Sequence, residues 1–120
     1  MENKKVLIAE DDDLLRKILV RHIGSNFKNL DIDDVATCKE LIEKSRSIEY
    51  SLILTDNNME PGTNGAEAIE EIRKFDKKTP IYMLSGSSRA KDDALKSGAT
   101  GFLDKCDDKG LDEVLSTYLK

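Results

Sequence analysis

The sequence predicts a doubly wound α/β domain, with five parallel strands in the order 2-1-3-4-5 and five helices covering both faces. Three observations carry this. Short apolar runs of strand length alternate strictly with longer stretches of helical period, five times along the chain. The run "VLIA" is continuously apolar rather than alternating, as in a strand buried on both faces of a parallel sheet, and "SLILT" reads as a further buried strand. The 120 residues, 38% hydrophobic and 36% charged, suit one core and one domain over residues 1–120.

Val6–Ala9 is the first strand, and Leu15, Ile18, Leu19 and Ile23 follow at three- and four-residue steps as the stripe of an amphipathic helix. A weaker strand lies around Ile32–Ala36. Thr37-Cys38-Lys39-Glu40 is a capping box that opens the second helix through Leu41 and Ile42. Ser51–Thr55 is the third strand. Asn64-Gly65-Ala66-Glu67 caps a third helix, with Ala68, Ile69, Ile72 and Phe75 expected inward. Pro80 introduces the strand "IYMLS", where a first-position proline is tolerated. A short polar helix runs from about Ser88 to Ser97, and Gly98 ends it in the left-handed conformation. "ATGFLD" is the fifth strand, and Leu111, Val114, Leu115 and Tyr118 line the last helix. Such strict alternation requires crossover connections, and at this size the flavodoxin-like order is the common solution.

Composition removes several function classes. A net charge of −5 leaves no electrostatic footprint for direct nucleic-acid binding. No apolar stretch approaches the roughly 20 residues that cross a bilayer, and "MENKKVLIAEDDD" does not read as a signal peptide, so a cytoplasmic location is expected. Cys38 and Cys106 lack metal or redox spacing and are expected to stay reduced. His22 reads as an ordinary helix histidine.

In doubly wound sheets functional groups gather outside the carboxyl ends of the strands. Here those ends carry Glu10 and Asp11, then Asp56, then Ser85-Gly86, then Asp104-Lys105. Three carboxylates, a hydroxyl and an ammonium would share one crevice. Hard oxygen donors of this kind suit Mg²⁺, which also relieves the repulsion among the acids. Lys105 adds a point charge, Ser85 a donor, and Gly86 leaves the backbone open. Two chemistries fit: Asp56 as a ligand only, or Asp56 as a nucleophile that forms an acyl-phosphate. The second accounts for the accompanying hydroxyl and lysine. Neither GxxxxGK[ST] nor GxGxxG occurs, so the phosphoryl donor must come from outside. Of the opening acids, Glu10 and Asp11 are expected to face Asp56, whereas Asp12 and Asp13 start the helix, Asp13 suiting the N-cap.

The motifs "VLIAEDDDLLRKIL", "LILTDNNMEPGTNGAEAIEEIR", "PIYMLSGSS" and "GATGFLDK" occur in order over nearly the whole chain. Together they resemble the response regulator receiver domain of two-component signalling. The resemblance implies Asp56 as phosphoacceptor, with Mg²⁺ (or Mn²⁺) held by Asp11, Asp56 and the Asn58 backbone carbonyl, and by Glu10 through a water. It implies Lys105 and Ser85 as the groups that meet the phosphoryl oxygens, and Ser85 with Phe102 as the switch pair. Asn58 and Ser87 are expected to set the rate of dephosphorylation, with a lifetime of minutes or less. Implied partners are a sensor histidine kinase or histidine phosphotransfer protein, docking near Leu14, Leu15 and Ile18, and an unknown downstream target. Implied too is a signalling switch rather than an enzyme, as monomer or phosphorylation-dependent dimer. A phosphorylation-independent interaction module is the alternative. A carboxylate-dependent phosphatase is disfavoured, because Asn58 stands where such enzymes carry a second acid.

Two departures from the family pattern stand out. Lys105-Cys106 replaces Lys-Pro, so the family's cis bond loses its support, since cis costs about 2.5–4 kcal/mol before a residue other than proline. The loop "MEPGTNG" is one residue longer, with Glu60 before Pro61.

Overall fold

The computed structural model describes residues 3–59 and 64–120; Glu60 and Pro61, and with them the expectation of a longer loop, lie outside the described residues. Ten elements alternate: β1 (Lys4–Ala9), α1 (Asp13–Asn26), β2 (Leu30–Val35), α2 (Cys38–Ser47), β3 (Leu52–Asp56), α3 (Gly65–Arg73), β4 (Ile81–Ser85), α4 (Arg89–Ser97), β5 (Gly101–Asp104) and α5 (Asp108–Leu119). The sheet is parallel throughout in the order β2-β1-β3-β4-β5, as the sequence predicts.

Alternate side chains of the strands feed two cores. Leu7, Ala9, Ile53, Ile81 and Met83 pack with α2, α3 and α4 on one face. Val6, Ile8, Leu52 and Leu54 pack with Ile23 of α1 and Leu115 and Leu119 of α5 on the other. β1 and β3 can be apolar at consecutive positions because both their faces are covered. β2, "LDIDDV", is an edge strand, and its acids alternate with half-buried Leu30 and Ile32. Charges on an edge discourage pairing with another chain.

Local chemistry sets the helix ends. Thr37 and Asn64 accept the amides of Glu40 and Glu67 at 3.1 and 2.8 Å, and Gly98 closes α4 at φ 106°. Two expectations are corrected. The N-cap of α1 is Asp12, whose Oδ1 accepts the Leu15 amide at 3.0 Å; Asp13 is already helical. The chain must leave the sheet directly after Asp11, and Asp12 is the residue with extended backbone from which a cap can reach back over the first turn. Phe75 does not point inward. α3 ends at Arg73, tightening to a bond from Lys74 N to Glu71 O, and leaves Phe75 39% exposed beneath the Arg46 guanidinium, 4.9 Å from its ring centroid. His22 remains a helix histidine, with Nε2 2.7 Å from Asp112 Oδ1 on α5.

The close approach of α3 to β3 requires a glycine. A Cβ on Gly65 would stand 2.2 Å from the Asp56 carbonyl oxygen and 3.1 Å from Asn57 Cα, both backbone atoms. Gly65→Ala is therefore expected to cost about 3 kcal/mol, since backbone rather than a flexible side chain must move. Urea unfolding checks this; a loss below about 1 kcal/mol would mean that the approach relaxes freely.

Candidate functional site

The carboxyl ends of β1, β3, β4 and β5 bring the sequence-predicted groups to one edge of the sheet. Glu10 follows β1, and Asp56 ends β3 one strand away; each is only 6% exposed. Asp56 is carried there by the fully buried run Leu52–Thr55, and its Oδ1 accepts the Asn57 amide at 2.8 Å. Lys105, just beyond β5, reaches over both. Its Nζ lies 3.0 Å from Glu10 Oε1 and 3.2 Å from Asp56 Oδ2. One ammonium thus bridges two buried carboxylates from different strands, the compensation that a charge at the end of an apolar strand requires.

Asp11 completes the group from the rim. One oxygen each from Glu10, Asp11 and Asp56 lies within 4.8 Å of the others. Three carboxylates against one lysine leave excess negative charge, and every donor is a hard oxygen. That donor set fits Mg²⁺, and Asp11 and Glu10 point toward Asp56 as the sequence predicts. The crowding registers in titration. Partial desolvation, then a hydrogen bond and charge repulsion from Glu10, hold the Asp11 carboxyl above the usual aspartate range. The Lys105 ammonium would be lowered by its burial alone. Its hydrogen bond to Glu10 and the charge of Asp56 more than offset this and hold it above its ordinary value.

A pH prediction follows from Asp11. The folded state favours its protonated form, so its charge costs nothing below the unfolded value near pH 4. The cost grows as pH rises from there through the raised folded value, then stays constant. In metal-free protein, Asp11→Asn is expected to gain stability over the wild type across that window. Urea unfolding against pH measures the difference, and millimolar MgCl₂ should reduce or reverse it by favouring the wild type.

The other predicted residues occupy nearby positions with different partners. Ser85, 2% exposed at the end of β4, accepts the Ser87 amide at 3.2 Å, and its carbonyl accepts the Lys105 amide at 3.1 Å. A Cβ on Gly86 would meet nothing within 4 Å, so the backbone beside Ser85 is open. Asn58 is exposed and bridges Asn64. Phe102 is half-buried, opposite Met83 on β4 and packed on the α2–α4 face. Asp104 turns away to accept the Cys106 amide at 2.8 Å. There is no cis peptide among the described residues, so Lys105–Cys106 is trans.

Two supporting residues escaped sequence reading. Asn57 holds Asp56 by its amide and accepts the Gly65 amide on its carbonyl at 2.8 Å, so it ties Asp56 to the start of α3. Arg16 donates to the Glu10 carbonyl at 2.9 Å. Its three-residue spacing from Asp13 signals a helix ion pair, but nothing in the spacing signals that backbone contact.

Comparison with known proteins is consistent with this arrangement. Residues 6–116 match the family model of the response regulator receiver domain. A protein-glutamate methylesterase/protein-glutamine glutaminase of Methanococcus maripaludis is 37% identical over an alignment of 112 positions that covers 88% of this chain and 29% of that protein. The chain thus spans less than a third of that relative's length. The Francisella response regulator 1452 receiver domain superposes with a TM-score of 0.81 at 28% identity, covering 97% of both chains. A chain of the CheX–CheY–BeF3–Mg²⁺ complex from Borrelia burgdorferi superposes equally well, at 0.81 and 28% identity over 99% of this chain and 92% of that one.

Proposed function

The chain belongs to the response regulator receiver family, and on that premise we propose that residues 1–120 act as one phosphoacceptor switch whose acceptor is Asp56. The observation that carries this is the single Lys105 ammonium bridging Glu10 and Asp56, with Asp11 in reach of both. A carboxylate needed only for folding would not require two more acids crowded around it.

In this reading an Asp56 carboxylate oxygen attacks the phosphorus of a partner phosphohistidine. The O–P bond forms as the P–N bond breaks, and the imidazole leaves with the electron pair. The Asn57 amide holds Asp56 Oδ1 and so fixes the direction of the other oxygen. Lys105 and the Ser85 hydroxyl meet the transferred phosphoryl oxygens, and the open backbone at Gly86 admits the group. Asp11, Asp56 and the Asn58 carbonyl would hold Mg²⁺ or Mn²⁺, with Glu10 acting through a water. The ion supplies charge neutralisation at the phosphoryl oxygens.

Movement of Ser85 toward the phosphoryl group, with inward rotation of Phe102, would pass the change to the α4–β5–α5 face, where the unknown target docks. Leu14, Leu15 and Ile18 are exposed on α1 and offer the apolar contact for a sensor kinase or histidine phosphotransfer protein. No helix among the described residues is long and apolar enough to cross a membrane, and work beside a kinase's catalytic domain would place the chain in the cytoplasm. Asn58 and Ser87 flank the site with small polar groups that leave room for hydrolytic water, so the acyl-phosphate should last minutes or less.

The test is incubation with acetyl phosphate and MgCl₂, followed by intact-mass spectrometry. One phosphoryl adduct is expected, lost on chelation of the metal before the donor is added. No adduct would leave the chain as a phosphorylation-independent interaction module instead, and an adduct that survives Asp56→Ala would overturn Asp56 as the acceptor.

A further inference from the structure

We propose that Arg16 is a positioning residue for the acidic cluster, clamping the peptide plane that joins Glu10 to Asp11 so that both carboxylates face Asp56. This rests on the receiver-site reading above and deepens it. The guanidinium makes three contacts on three segments. Nη1 donates to the Glu10 carbonyl at 2.9 Å, Nε to Asp34 Oδ2 at 3.0 Å, and Nη2 to Asp13 Oδ1 at 2.6 Å. The Glu10 amide meanwhile donates to the Val35 carbonyl at 3.0 Å. Both backbone polar groups of Glu10 are therefore held from outside β1, one by β2 and one by α1. The Glu10 carbonyl lies in the same rigid peptide unit as the Asp11 amide, so fixing it orients the residues on either side.

The burial pattern singles out that carbonyl as the contact that matters. The Arg16 side chain is 15% exposed, but its two acid partners are 76% and 43% exposed, and exposed ion pairs contribute little by themselves. Asp34 and Asp13 anchor the fork at its far side, and a planar fork suits such simultaneous contacts where a lysine's point charge does not. The positioning reading also opposes simple electrostatics. A cation beside a cation site should weaken Mg²⁺ binding, so removing its charge alone would tighten it. Loss of the clamp should weaken it instead, because orienting partners of metal ligands sustain affinity.

The two signs can be separated by MgCl₂ titration of the full chain at constant ionic strength, following amide chemical shifts at Asp11 and Asp56. Arg16→Gln is expected to weaken Mg²⁺ binding about 10-fold, the low end of the range for orienting partners of metal ligands. Arg16→Lys keeps the charge but loses the fork, and should weaken binding similarly. Arg21→Gln, on the exposed side of the same helix, removes the same charge without touching the acidic loop and should leave affinity unchanged or slightly tighter. The proposal is overturned if Arg16→Gln binds as tightly as wild type or more so, or if Arg16→Lys keeps wild-type affinity. Should Arg16→Gln not fold, Arg16→Lys decides. If wild-type protein shows no Mg²⁺-dependent shift at Asp11 and Asp56, the receiver-site reading falls, and the role of Arg16 with it.

Discussion

Asp56→Asn is expected to abolish the phosphoryl adduct and, at the same time, to stabilise the metal-free domain. The first effect is chemical, since an amide oxygen does not serve as the attacking nucleophile. The second follows from the crowding of like charges. Carboxylate oxygens within 4.8 Å repel by roughly 3.5 kcal/mol per pair at an effective dielectric of about 20. Lys105 offsets only part of this, because it also serves Glu10. Asparagine keeps an acceptor for the Asn57 amide and nearly the same shape, so little packing is lost. A net gain of about 1–2 kcal/mol is expected in urea unfolding without Mg²⁺. A loss of stability of that size would mean that the contact with Lys105 outweighs the repulsion.

Lys105→Met should move stability the other way. Glu10 and Asp56 would keep their buried charges and lose the cation between them. Removing one partner from a buried ion cluster is strongly destabilising; with Lys105 31% exposed, about 2 kcal/mol is a suitable discount. Phosphorylation by acetyl phosphate should slow by roughly 10²–10³-fold, the usual effect of removing one preorganised charge-stabilising group. Mg²⁺ should recover much of the stability but not the rate, because the ion screens the acids without replacing the ammonium at the phosphoryl group. The sign against pH is also distinct. The Lys105 pKa is raised on folding, so its stabilisation is complete below the unfolded value near 10.4 and is lost as pH rises through the folded one. Wild-type protein should show that alkaline loss and Lys105→Met should lack it, which paired urea titrations would reveal.

The opposite signs at Asp56 and Lys105 describe a site that carries excess negative charge until a cation arrives. Mg²⁺ binding is then favoured by the same repulsion that weakens the metal-free fold. Gly65 shows how closely this site is joined to the core. The glycine that starts α3 lets the helix approach the carbonyl of Asp56 itself.

The amino-acid sequence by itself determined the elements, their order and the convergence of Glu10, Asp11, Asp56, Ser85 and Lys105 on one edge. These are legible because they rest on local rules. Apolar period separates strand from helix, Thr37, Asn64 and Gly98 mark helix ends, and alternation requires parallel crossovers. Where a local rule allowed two answers a few residues apart, the fold chose. Asp12 rather than Asp13 caps α1 because of where the chain leaves the sheet, and Phe75 falls outside because α3 closes two residues earlier. Only the tertiary structure decided that Lys105 reaches 95 residues back to Glu10, that Arg16 grips the Glu10 carbonyl and an acid of β2, and that no Cβ fits between α3 and β3. Such contacts depend on side-chain reach and backbone separation across the assembled sheet, and no periodicity along the chain encodes those distances.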